Sequence, residues 1–113
     1  MSELRLVAWV RALSHPPRTR HLLRGAKAGA PDLMPPAQVL LLEIEDDGPA
    51  QLYRYTLDGA FAGDSWFESR EDADAQVTFE YGDAVGPWTP VPPYVEDGHS
   101  YAVTWGQDSR PDA

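Results

Sequence analysis

Apolar and polar positions alternate with period two along several stretches of this chain, and that alternation sets most of the predicted elements. Leu4, Leu6, Ala8 and Val10 alternate as in a strand; Leu6, Val10 and Leu13 would also mark a helical stripe, but the strand is preferred. Between Gln38 and Asp46, Leu40, Leu42 and Ile44 point one way while Glu43 and Glu45 point to solvent. Val39 to Leu42 is apolar throughout, the pattern of a strand partly buried on both faces. Two further runs, Gln51 to Leu57 and Ala60 to Phe67, flank Asp58-Gly59, a pair that favours a two-residue type I′ hairpin turn. Such a turn sets Leu57 against Ala60, Tyr55 against Ala62, Tyr53 against Asp64 and Gln51 near Trp66. The aromatic rings then share one face with Asp64, and Arg54 and Thr56 point to the other.

After Phe67 the period changes. Ser69 is followed three residues later by Asp72, a capping arrangement, and Glu71 and Asp72 would occupy a first turn where the helix dipole favours negative charge. Gly82 stands where a C-terminal cap belongs. Ala73, Ala75, Val77, Phe79 and Tyr81 also alternate as a strand would, whereas helical spacing unites Ala73, Val77 and Tyr81 and leaves Phe79 aside. Caps, acidic first turn and length agree on a helix whose Ala73-Val77-Tyr81 face packs on the sheet. Further on, Trp88-Thr89-Pro90-Val91 reads as an edge strand or extended segment because of its prolines. Asp97-Gly98 offers a turn, and Tyr101, Val103 and Trp105 alternate as a final strand. The expected fold is α+β: a mostly antiparallel sheet, built from a three-stranded meander and a C-terminal strand, with one helix packed on it.

The stretch RYTLDGAFAGDSWFESREDADAQVTFEYG resembles a recurrent pattern in small uncharacterised bacterial proteins: an RYT-x-DG hairpin, then GD-[ST]-W, a Glu/Asp-Ala helix start and an EYG or EFG end. That group has no established activity, so the resemblance implies a strand-to-helix unit and no chemistry. Phe67 departs from it, standing where a His is expected after the Trp.

Prolines and glycines divide the chain further. Residues 1–36 read as a basic Pro/Gly/Ala-rich extension, with the stretch from Ser14 to Pro36 lacking periodicity and a strand at 4–13 either joining the sheet or loosely attached. Residues 37–106 form a single α+β domain, and residues 107–113 a flexible tail. The net charge is −9, but six basic residues against Glu3 give residues 1–30 a net +5, leaving −14 on the remainder. Such an acidic body disfavours nucleic acid as a partner. No Cys is present, which removes disulfides and thiolate sites together and suits a cytoplasmic location. No apolar run approaches the roughly 20 residues that span a bilayer, and the first residues carry no export signal.

Candidate chemistry is sparse. His15, His21 and His99 fall in no ligand spacing and read as surface residues; the carboxylate runs at 43–47 and 64–72 have the oxygen ligands a Ca²⁺ or Mg²⁺ ion wants but read as solvated faces, the first run lacking the loop spacing of an EF-hand. No catalytic residue, metal site or cofactor is expected. One constellation stands out: Tyr53, Tyr55, Asp64 and Trp66, where a carboxylate lies among rings and could seat a cationic or aromatic ligand. The structural alternative puts the rings in the core and gives Asp64 a local hydrogen bond. Two functions follow as expectations: a non-enzymatic interaction domain for a protein with a basic surface, with edges near residues 88–92 open to strand pairing, and a small-ligand domain using those four residues.

Overall fold

The apolar tetrad Val39 to Leu42 forms most of a strand, β2 (Val39–Ile44), that lies in the middle of a five-stranded antiparallel sheet and is buried on both sides. The computed structural model of the chain describes residues 4–11, 35–46 and 48–111. Around β2 stand β1 (Leu4–Trp9), β3 (Ala50–Tyr55), β4 (Phe61–Phe67) and the short β5 (Thr89–Pro90), in the order β4-β3-β2-β1-β5. Residues 4–9 are therefore interior to the sheet, Leu6 opposite Leu42 on one side and Pro90 on the other. The readings of His15, His21 and the stretch 12–34 lie outside the described residues.

Alternation divides the sheet into two apolar faces. Leu6, Val10, Leu40, Leu42, Ala50 and Leu52 meet Ala73 and Val77 of helix α1 (Arg70–Tyr81), with Tyr81 packed alongside. The helix reading prevails over the strand reading of 73–81, and the caps are as expected: Ser69 Oγ accepts from the Asp72 N–H at 3.2 Å, and Gly82 closes the helix at φ +59°. On the opposite face, Val7, Val39, Leu41, Tyr55 and Val91 meet Ala102.

Ala102 belongs to a second helix, α2 (Gly98–Ser109), where the alternation of Tyr101, Val103 and Trp105 predicts a strand and the sequence beyond Gly106 a tail. Asp97 is its N-cap and not a turn residue, accepting from the Ser100 N–H at 3.1 Å. The physical reason is a seam of small residues at helical spacing, Gly98, Ala102 and Gly106. A Cβ on Gly98 would stand 3.0 Å from Leu41, and one on Gly106 3.1 Å from Leu57 and 3.2 Å from Val39. Small residues here let the helix backbone lie directly on β2. The fold is thus α+β with an antiparallel sheet, as expected, and carries a helix on each face.

The hairpin differs in one detail. Thr56 N–H donates to Ala60 O at 2.9 Å, so the loop is the three residues Leu57-Asp58-Gly59, and only Gly59 takes positive φ, at +94°. Asp58 keeps an ordinary backbone, and its carboxylate is held by the Thr56 hydroxyl. This shifts Tyr55 to face Phe61 in place of Ala62. A bulge at Ala62-Gly63, with Gly63 at φ +113°, then takes up one residue on β4 and restores Tyr53 opposite Asp64 and Gln51 opposite Trp66.

Candidate functional site

Among the described residues α2 packs chiefly on β2 and β1, and on the β3–β4 side of the same face Asp64 and Trp66 are exposed. Register places Tyr53, Gln51, Asp64 and Trp66 side by side on that face, with Glu43 beside Gln51 on β2. Trp66 is 60% exposed, so it is not core. Asp64 is exposed and its Oδ2 accepts from Gln51 Nε2 at 3.2 Å. Glu43, Glu45, Pro49, Gln51, Tyr53 and Trp66 line a shallow half-open concavity of about 170 Å³.

Tyr55 leaves the predicted quartet. It is buried under α2, where His99 stacks on its ring at 4.1 Å with planes 8° apart, and its hydroxyl is pushed up to about 12. Burial is the main cause, followed by the negative charge that Tyr53, Glu43, Asp97 and Asp64 place or would place around it. Tyr53 lies parallel to Tyr55 at 6.4 Å, linking the buried ring to the open surface. His99 is exposed, as expected, and its Nε2 lies 2.9 Å from Gly59 O; a carbonyl only accepts, so Nε2 carries the proton.

Beneath β4, on the α1 face, lies an ion pair. Arg54 donates to Glu80 through Nη2 at 2.7 Å and Nε at 3.2 Å, both side chains being almost wholly buried. Arg54 Nη1 also donates to Ser65 Oγ at 3.1 Å, and Gln76 Nε2 donates to Glu80 Oε2 at 2.9 Å. Burial and the neighbouring Glu80 carboxylate raise the Tyr81 hydroxyl far above its ordinary value. This network fixes Ser65, the residue between Asp64 and Trp66, to β3 and α1. Its sequence signal is Arg54 at a core-facing strand position, which demands a buried acid on the packing face of the helix.

The two sheet edges are unlike. Val91 N–H bonds to Arg5 O at 2.8 Å, which turns residues 89 and 91 towards β1 and leaves Pro90, with no N–H, facing out. The edge near residues 88–92 is therefore poorly suited to strand pairing. At the other edge, Glu45 N–H bonds to Pro49 O at 2.9 Å, and carrying this alternation through the register turns Leu52 and Ser65 towards each other. The N–H and C=O groups of Asp64 and Trp66 consequently point away from the sheet. Among the described residues no strand pairs with that side of β4.

Chemically, the open face offers π-faces and carboxylates together, a combination that favours cations. Among the described residues no three His, Asp or Glu side chains are grouped so as to hold a metal ion, and no helix is long and apolar enough to cross a membrane. No family model matches the chain, and neither curated proteins nor solved structures yield a significant match.

Proposed function

We propose that this protein is a non-enzymatic interaction module that binds a basic protein partner through the Tyr53-Asp64-Trp66 face. The observation that carries the reading is Trp66, 60% exposed and set beside Asp64 and a concavity bordered by Glu43 and Glu45. A large ring left in water among carboxylates is suited to the ammonium or guanidinium of a partner's Lys or Arg. The −14 carried beyond residue 30 adds a field that draws a basic partner and repels nucleic acid.

A small-ligand reading draws on the same concavity. Its 170 Å³ admits one cationic head group but falls below the roughly 300–1,000 Å³ of pockets for drug-sized molecules, so a partner side chain fits better. The test is backbone NMR mapping with capped lysine-rich and arginine-rich peptides, with a glutamate-rich peptide as control. Shifts should gather on residues 43–53 and 64–66 and weaken with added salt. Trp66→Ala should weaken binding about two- to fivefold, the worth of an exposed cation–π contact. Shifts spread evenly over the acidic surface, with Trp66→Ala indifferent, would sink the reading.

A further inference from the structure

We infer that β4 receives an extended segment of the basic partner as a sixth strand, with Lys or Arg at alternate positions beside Asp64 and Trp66. This rests on the reading above and adds how the partner is held. Two residues of the open face, Asp64 and Trp66, also turn their main-chain N–H and C=O groups outward. Four pairing groups and a cation-seeking surface thus belong to one short stretch.

An added strand would lie about 4.8 Å from β4, and residues directly opposite Asp64 and Trp66 would share their face, with Cβ atoms about 4.5–5.5 Å away. A Lys or Arg there reaches the Asp64 carboxylate and the Trp66 ring. Intervening residues point to the α1 side and need no charge. The receiving strand is already ordered, because Ser65 is held from below by Arg54, so little backbone freedom is lost on pairing. The Ala62-Gly63 bulge ends the regular ladder on one side, which restricts the segment to a few residues.

An edge strand invites any exposed strand, and natural edges are commonly protected by a charge. Asp64 is that charge, and its sign selects the guest. A second copy of this chain would bring Asp64 and an equally acidic body against its twin, which like-charge repulsion disfavours. On the opposite edge the outward position of β5 is Pro90, which has no N–H to donate, so that edge competes poorly.

The experiment uses the full chain with ¹⁵N labelling and three capped peptides: alternating lysine and threonine, the same peptide N-methylated at its lysine amides, and one with the lysines in a single block. The alternating peptide should slow amide exchange at Asp64 and Trp66 by about tenfold or more, and N-methylation should weaken its binding about tenfold through lost hydrogen bonds. Equal binding of all three peptides without that protection overturns strand addition and leaves the basic-partner reading standing. Failure of every peptide to bind overturns both. Protection at Asp64 and Trp66 without peptide, together with a dimer mass in sedimentation, assigns the edge to a second copy and overturns the inference.

Discussion

Arg54 shows how a single charged residue can organise the interior of so acidic a chain. Removing two charges from water costs several kcal/mol per ion, and the pair with Glu80 is tolerable because its geometry is bidentate and Ser65 and Gln76 complete its hydrogen bonds. Glu80→Gln or Arg54→Met alone leaves an uncompensated group and should cost about 3–5 kcal/mol in chemical denaturation. The double variant Arg54→Met with Glu80→Leu should recover most of that loss. If each single variant unfolds like the parent, the pair contributes nothing to holding α1 on β3. The recovered double variant would also release Ser65, separating the pair's effect on stability from its effect on β4.

Among the elements, α2 depends on absence of side chain. Its seam at Gly98, Ala102 and Gly106 seats the backbone on Leu41, Val39 and Leu57, so Gly106→Val must push two neighbours that are already at 3.1–3.2 Å from a Cβ. Overpacking of this kind should cost about 1–3 kcal/mol, whereas Thr104→Val on the exposed side should stay within about 0.5 kcal/mol. Equal melting temperatures for the two variants would show that the seam is not a contact. This helix also marks the limit of what periodicity reveals. The alternation of Tyr101, Val103 and Trp105 outweighs small residues four apart, because hydrophobic patterning reports large side chains and is silent about close backbone approach. Where large residues decide, as at Val39 to Leu42, or where caps decide, as at Ser69 and Gly82, the sequence is legible. The open face is legible in the same measure: Tyr53, Asp64 and Trp66 follow from strand register, the turn and the bulge having offset one another. Tyr55 does not, because nothing local in Gln51 to Leu57 announces the helix that covers it.

At the scale of the whole molecule, charge from β2, β4 and the start of α2 converges on one ring. Tyr55 is raised from 10.0 to about 12, chiefly by burial and then by its acidic surroundings. A phenol whose folded value is raised contributes stability that is complete below its unfolded value and is lost as pH climbs through the folded one. Stability should therefore decline from about pH 10 towards 12, with Tyr81 adding to the loss in the same direction. Phenolate absorption should show Tyr55 ionising late, and Tyr55→Phe should remove that late step and flatten the slope. Glu43→Gln with Asp64→Asn should lower the Tyr55 transition only part of the way, since burial remains; an unchanged transition would mean that the charges do not reach the ring. The position of β1 has a consequence of another kind, in time. Val7 pairs with Thr89, and Arg5 Nη2 donates to Val95 O at 2.6 Å, so β1 acquires these partners only after β2, β3, β4 and α1 have been made. On the ribosome, β2, β3, β4 and α1 can assemble in sequence while the outer flank of β1 waits for its neighbours to emerge.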